Sequence, residues 1–448
     1  MQVLETPLSS TENLVFHVQP GGALKGTFRV PGDKSISHRS IMLGSLAEGV
    51  THISGFLEGE DSLATLRAFR SLGVSIEGPE KGQVTIQGVG MHGLKKPQAP
   101  LDLGNSGTSM RLLAGLLAGQ GLEITLVGDS SLSGRPMRRV TDPLRKMGAI
   151  VETTEGGTAP LAIRPVKALK AIDFELPVAS AQIKSSLLLA GLYADGETCV
   201  TEPAPTRDHT ERMLKGFGYP VQRSGNRISV TGGGKLTACN IDVPSDISSA
   251  AFFLVGASIA PGSDILLEHV GINPTRDGVI TILRQMGADI EILNRRDVGG
   301  EPVADLHVRS AQLHGIDIPE EQVPLAIDEF PALFVAAACA EGQTRLTGAE
   351  ELRVKESDRI QVMADGLAIL GADVTPTADG IVIQGGTLQG GRVNSHGDHR
   401  IAMSFAMAAL RAQGAVVIDD CSNVNTSFPG FTELAAVAGL TIRAVEDN

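Results

Sequence analysis

Residues 31–39 read Pro31-Gly32-Asp33-Lys34-Ser35-Ile36-Ser37-His38-Arg39, and residues 40–47 continue as Ser40-Ile41-Met42-Leu43-Gly44-Ser45-Leu46-Ala47. Pro-Gly is a turn signal, Asp33 or Ser35 suits a helix N-cap, and the apolar residues after Ser35 recur at helical spacing. The stretch therefore predicts a turn and then a helix, with Lys34, Ser35 and Arg39 at its N-terminus. Backbone N–H groups point outward at such an end, and the helix dipole favours an anion there. Two cations and a hydroxyl suit an anion site; they suit an ordinary capped helix with solvated cations equally well.

Reading outward, the same design recurs. An apolar helical run followed by Gly and a strand-like run occurs at Gly49, Gly121, Gly196, Gly262, Gly342 and Gly414. Glycine there suits a left-handed helix C-cap, and the alternation after it suits a strand. A second helix signature interleaves with the first: Leu72-Gly73-Val74, Met147-Gly148-Ala149, Phe217-Gly218-Tyr219, Met286-Gly287-Ala288, Leu370-Gly371-Ala372 and, more weakly, Ala438-Gly439-Leu440. Both series recur at a period of roughly 70 residues, the mark of an internal repeat. Each unit predicts strand–helix–strand–helix–strand–strand, and six units divide into two groups of three. Asp242-Val243-Pro244 marks one boundary and Pro31-Gly32 the other crossing, with Pro31-Gly32 as hinge. The expected domains are residues 32–243, and residues 1–31 together with 244–448, the N-terminus contributing the first strand of the latter.

The first helix of each unit opens on a polar cluster. Beyond Lys34-Ser35 to Arg39, these are Asn105-Ser106-Gly107-Thr108-Ser109-Met110-Arg111, Ser180-Ala181-Gln182-Ile183-Lys184-Ser185-Ser186, Ser245-Asp246-Ile247-Ser248-Ser249, Asp328-Glu329-Phe330-Pro331 and Gly397-Asp398-His399-Arg400. Their interiors are apolar nearly all round, so these helices are buried. Parallel buried helices focus positive potential at their N-terminal ends, where an anionic ligand is expected.

The chain has 448 residues, 42% hydrophobic and 20% charged, with a net charge of −13. That balance argues against a nucleic-acid partner, and the lack of Trp with only two Tyr leaves few base-stacking platforms. No run is long and apolar enough to span a bilayer, and residues 1–10 carry no signal pattern. Four scattered cysteines without CxxC suit a reducing cytoplasm. His396 and His399 lack the partners of a metal site. Gly88-Val89-Gly90-Met91-His92-Gly93 matches a dinucleotide fingerprint, but Pro97 and Pro100 follow where a helix is required.

Arginines flank the helix starts: Arg135, Arg138 and Arg139 in an expected loop over residues 128–139, then Arg207, Arg276, and the dense run Arg353-Val354-Lys355-Glu356-Ser357-Asp358-Arg359. Guanidinium forks match carboxylate and phosphate oxygens; local Asp–Arg pairs at solvated helix starts are the other reading. Asp328 fits an N-cap or a proton carrier, and Glu356 an ion-pair partner or a proton carrier.

These motifs together resemble the 5-enolpyruvylshikimate-3-phosphate synthases of the enolpyruvyl transferase family. The resemblance rests on residues 31–39, 103–111 (LGNSGTSMR), Arg135-Pro136-Met137, 180–185 (SAQIKS), 206–211 (TRDHTE), 352–359 (LRVKESDR) and 398–404 (DHRIAMS), in the family's order. Further wording (NPTR, IDEFP, TSFP) is similar to the bacterial class II branch. The resemblance implies a two-domain inverse α/β barrel, each domain three βαβαββ units about a pseudo-threefold axis. It implies transfer of the enolpyruvyl group of phosphoenolpyruvate to the 5-hydroxyl of shikimate 3-phosphate, through a tetrahedral ketal. That step lies in the shikimate pathway to chorismate and aromatic amino acids, in a cytoplasmic monomer without metal or organic cofactor.

By the same resemblance Lys34, Asp328 and Glu356 are catalytic: Lys34 as a proton shuttle, Asp328 toward the 5-hydroxyl, Glu356 toward the methylene carbon. Lys34, Ser35, Arg39, Ser180, Ala181, Gln182, Arg207, Asp328 and Lys355 would hold shikimate 3-phosphate. Lys34, Gly107, Arg135, Gln182, Arg359 and Arg400 would hold phosphoenolpyruvate. Thr426 stands where many members carry Lys. Gly107 replaces the Ala of some class II members, which implies sensitivity to glyphosate. The sibling enzyme acting on UDP-N-acetylglucosamine usually has a Cys near Arg135, and residues 128–139 contain none. A non-catalytic anion-binding protein on the same fold would need the cations but not the two proton carriers.

Overall fold

The structure is a computed structural model that describes residues 13–447; the expectation for residues 1–10 lies outside the described residues. Side-chain caps start five of the six buried helices. Asp33 accepts from Ile36 N (2.9 Å) to open Lys34–Leu46. Ser106, Ser180, Asp246 and Asp398 cap Gly107–Ala118, Ala181–Gly191, Ile247–Ile259 and His399–Ala408 in the same way. Each cap satisfies a donor the helix start would otherwise leave unpaired. The sixth helix, Phe330–Cys339, has Glu329 at its N-cap without a side-chain bond and Pro331 in its first turn, so Asp328 is not a cap. Every residue of Ile247–Ile259 is buried, as its all-round apolar sequence requires.

Among the described residues six sheets of three or four strands surround these helices, besides two two-stranded pairs. In the first three, a short strand lies parallel to a central one, and two antiparallel strands follow. The central strands are Val50–Ser54, Ile124–Val127 and Glu197–Thr201. Their parallel neighbours are Ile241–Asp242, Leu101–Asp102 and Asp173–Glu175. The same order is built around Asp264–Gly271 and Val416–Asp419. Around Gln343–Leu346 the parallel strand shrinks to a single bridge, Asp317 to Arg345. The arrangement is a two-part α/β fold of six related units, with helices inside and sheets outside.

The second glycine series has a local cause. After each outer helix the residue beyond the glycine donates to a carbonyl five residues back: Val74 to Phe69, Ala149 to Leu144, Tyr219 to Leu214, Ala288 to Leu283, Ala372 to Leu367 and Leu440 to Ala435. This is the Schellman closure, and it needs a left-handed residue; all six glycines have positive φ. The first series differs from expectation. Its helices end two or three residues or more before the glycine, as at Leu46 before Gly49, and Gly414 is absent from the positive-φ residues. These glycines sit in the links to the strands, so they do not cap.

Buried apolar side chains form two cores, one drawn from residues 36–243 and one from 16–30 with 247–440. The N-terminal strand Asn13–Val18 lies between Val416–Asp419 and Ile442–Asp447. The chain thus passes twice between the cores, and the two crossings pair: Asp33 N donates to Pro244 O (2.8 Å) and Asp246 N to Pro31 O (2.9 Å). A Cβ on Gly32 would lie 1.9 Å from Gly55 O, so only glycine fits this crossing. Among the described residues no helix is long and apolar enough to cross a membrane.

Candidate active site

All six buried helices present their N-terminal ends to one cavity of about 340 Å³ between the two cores. Lys34, Gly107, Ala181, Asp246, Asp328 and Arg400 each mark one end on its wall. Each helix contributes roughly half a positive charge at such an end. Eight cationic side chains line the cavity against six carboxylates, a local positive surplus in a chain of net charge −13. The site is therefore built for more anionic charge than the protein supplies to it.

On one side Lys34 Nζ lies 3.0 Å from Asp61. Arg135 donates to Asn105 Oδ1 (2.6 Å) and Ser131 Oγ (3.2 Å). Arg111 donates to Gln182 Oε1 (2.5 Å), whose amide donates to Thr108 Oγ1 (3.1 Å). Burial, then the neighbouring Arg139 and Arg135, bring the Arg111 guanidinium down to about 10. Gly107 sits under these arginines: a Cβ there would lie 3.1 Å from Arg135 Nη1 and 3.2 Å from Arg111 Nη1.

On the other side Asp328 stands in a cage of cations. Arg207 pairs with it across the cavity, with Arg359 Nη1 at 3.1 Å, Lys355 Nζ at 3.6 Å and Arg400 Nη2 at 4.0 Å. Burial alone would raise this carboxyl, but Lys355, Arg207, Arg400 and Arg359 hold it well below the usual carboxylate range. Glu356 meets Arg359 Nη2 at 2.6 Å and Arg135 Nη1 at 3.9 Å. Burial again works upward, and Arg359, Arg135, His399 and Lys34 prevail, holding Glu356 low. Contacts that join the two sides of the cleft include Arg139 to Glu351 (3.3 Å), Arg135 to Glu356 (3.9 Å) and Arg207 to Asp328. The structure is thus a closed one.

Lys34, Ser35, Gly107, Arg135, Ser180, Ala181, Gln182, Arg207, Asp328, Lys355, Glu356 and Arg400 all line the cavity. Two expected residues do not reach its wall. Arg39 is spent on Thr210 Oγ1 (2.7 Å), Ser185 Oγ (2.9 Å) and Ser35 O (3.0 Å). Arg359 stands behind Asp328 and Glu356, with Nε on Asp398 Oδ2 (2.8 Å). Thr426 is also off the wall, its hydroxyl donating to Asn423 O (2.6 Å). Arg138 and Arg139 open the helix Arg138–Lys146 rather than lying in a loop, and Arg138 turns away to Glu155 O. Asp61, the partner of Lys34, carries no motif that reading along the chain could find. Arg276 is fully buried, bonding Ser248 Oγ (2.6 Å) and Asp246 (3.0 Å) and pairing with Asp33. Among the described residues no group of three or more His, Cys, Asp or Glu is placed to hold a metal ion.

Residues 18–434 match the family described as EPSP synthase (3-phosphoshikimate 1-carboxyvinyltransferase). The 3-phosphoshikimate 1-carboxyvinyltransferase of Methylococcus capsulatus is 70% identical over 431 residues, covering 96% of this chain and 99% of its own. That of Alkalilimnicola ehrlichii is 71% identical over 428 residues, covering 95% and 96%. A solved structure of EPSP synthase from Acinetobacter baumannii superposes with a TM-score of 0.87 at 63% identity, covering 96% of this chain and 100% of that one. Likeness of this degree extends over both halves and every helix end at the cavity, and the chain belongs to the EPSP synthase family.

Proposed function

We propose that the chain is a 3-phosphoshikimate 1-carboxyvinyltransferase, joining phosphoenolpyruvate to the 5-hydroxyl of shikimate 3-phosphate and releasing phosphate. The observation that carries this reading is the meeting of six helix N-termini and eight cations with two facing carboxylates in one cavity. Two phosphates and two carboxylates share the site during reaction. Like charges at about 4 Å repel by roughly 4 kcal/mol at an effective dielectric near 20, so the surplus of cations is needed before chemistry begins.

In the structure Asp328 and Glu356 occupy the cations that substrate oxygens would claim. When Arg207, Lys355 and Arg400 turn to a bound phosphate or carboxylate, Asp328 loses its stabilising partners and becomes a stronger base. It then takes the 5-hydroxyl proton as the 5-oxygen bonds to C2 of the enol phosphate. Glu356, eased in the same way, exchanges the proton at the methylene carbon: delivered on addition, removed on elimination as the C–O bond to phosphate breaks. Lys34 shuttles charge and proton between them, and Arg135, Arg359 and Arg400 stabilise the departing phosphate. Ser35, Arg39, Ser180, Ala181, Gln182 and Lys355 hold shikimate 3-phosphate. Arg359 and Arg39 act from behind the wall or move to it on binding.

Two separate cores support domains at residues 32–243 and at 1–31 with 244–448, hinged at the paired crossings. Four free cysteines standing apart in the fold suit a reducing cytoplasm, and no cysteine lines the cavity. One assay tests the function: phosphate release from phosphoenolpyruvate with shikimate 3-phosphate, and separately with UDP-N-acetylglucosamine. Saturable binding of both substrates without phosphate release would sink the proposal.

A further inference from the structure

The mechanism leaves Lys184 unused, as it does the buried Arg111 and Arg276. Lys184 has a fully buried side chain on the helix Ala181–Gly191. Its ammonium lies 3.0 Å from Glu202 Oε2 and 2.9 Å from Glu211 Oε1, both carboxylates themselves buried. Arg223 closes the outer side at 3.4 Å from Glu202 and 3.8 Å from Glu211. The cluster is charge-balanced, but dehydrating its three buried ions, Lys184, Glu202 and Glu211, is expensive, and apolar side chains of similar size usually serve stability as well or better. Stability alone therefore does not account for it.

What the cluster holds is a short segment. Residues 202–208 join the strand Glu197–Thr201 to the helix His209–Gly216 without regular structure of their own. Glu202 Oε2 accepts from Thr206 N (3.1 Å) and from Thr206 Oγ1. Lys184 Nζ donates to Thr206 O (3.4 Å). The N–H, the hydroxyl and the carbonyl of Thr206 are thus all fastened to the cluster. The next residue is Arg207, whose guanidinium crosses the cavity to Asp328. Three residues before Lys184 on its own helix, Ala181 lines the same wall.

We propose that Lys184 and Glu202 are positioning residues: they fix the Thr206–Arg207 segment relative to the Ser180 helix end, and so set the affinity for shikimate 3-phosphate. This rests on the assignment of Arg207 to that substrate's phosphate. A displacement of about 1 Å in a binding group can cost on the order of a hundredfold in rate, so a rigid anchor for a two-proline segment has a use.

The test uses the full chain. The double variant Lys184→Met with Glu202→Gln removes one charge of each sign and keeps the cluster balanced. Expected is a rise of about tenfold or more in KM for shikimate 3-phosphate, with KM for phosphoenolpyruvate within about threefold and a thermal midpoint close to the parent's. If that variant does not fold, Glu202→Asp keeps every charge and only withdraws the acceptor, and the same selective rise is expected. An unchanged KM for shikimate 3-phosphate in the folded variant, or an equal rise for both substrates, overturns the inference. Arg207→Ala separates the two claims. If it leaves KM for shikimate 3-phosphate unchanged, the assignment of Arg207 fails; if it raises KM while the cluster variants do not, the positioning role alone fails.

Discussion

Arg359→Met removes a guanidinium that three carboxylates share. Its nitrogens lie 2.6 Å from Glu356, 2.8 Å from Asp398 and 3.1 Å from Asp328, and the side chain is only 1% exposed. Asp328 keeps Arg207, Lys355 and Arg400, whereas the ion pair left to Glu356 among the described residues is Arg135 at 3.9 Å. Removing one partner from a buried pair typically costs about 3–5 kcal/mol, because an uncompensated charge remains. For a domain of about 150–250 residues that is a fall in thermal midpoint of roughly 6–20 °C near neutral pH. The sign with pH follows from linkage. In the parent, Glu356 and Asp328 are held low, so their contribution is present above the unfolded carboxylate range and is lost only as pH falls through the depressed folded values. In the variant burial pushes Glu356 upward, and taking up a proton relieves the cost. The unfolded chain stays ionised between about pH 7.5 and 5.5, so each proton taken up recovers up to roughly 2.7 kcal/mol over that window. Thermal unfolding followed by circular dichroism at both pH values reads the effect. The gap between parent and variant should narrow markedly at the lower pH. A gap under about 2 °C at both, or one that does not change, would refute the reasoning about the carboxylate cage.

Lys34→Ala should reduce kcat/KM by at least about a hundredfold with a much smaller effect on midpoint, since Lys34 is itself partly exposed and, among the described residues, makes one ion pair, with the buried Asp61; near-normal turnover would remove it from the mechanism. The parent should be inhibited by glyphosate in competition with phosphoenolpyruvate. Gly107→Ala should weaken that inhibition by about 1–3 kcal/mol, because its Cβ crowds Arg135 and Arg111 at 3.1 and 3.2 Å; an inhibition constant unchanged between the two proteins would count against it. Glu351→Gln breaks the half-buried rim contact to Arg139, and its effect on both KM values should stay within about fivefold and shrink at high salt. A loss as large as that of Lys34→Ala would mean that Glu351 has a direct role in the chemistry.

Much of the fold was legible because its signals are local. Each Schellman cap is closed by residues at most five apart, and needs a glycine at one place. Polar caps mark where the buried helices begin for the same reason. The first glycine series misled about the caps because a glycine in a link and a glycine at a cap look alike until the last helical hydrogen bond is known. Within the site, Lys34, Ser180, Gln182, Lys355 and Glu356 were readable because each stands in a motif at a helix start. Asp61 and the roles of Arg39, Arg111 and Arg359 were not, since nothing in the neighbouring residues says which way a long side chain is spent.

The stretch 31–39 shows the division. By itself it determined a turn, a capped helix and cations at a positively polarised end, all of which follow from backbone geometry over a few residues. Only the tertiary structure decided what that end faces. Arg276 meets Asp33 from 243 residues away, and Arg207 meets Asp328 from 121. Coulomb interactions depend on distance in space and on burial, and neither is written in the order of residues. The anion site is therefore a property of six helix ends brought to one place, not of any one of them.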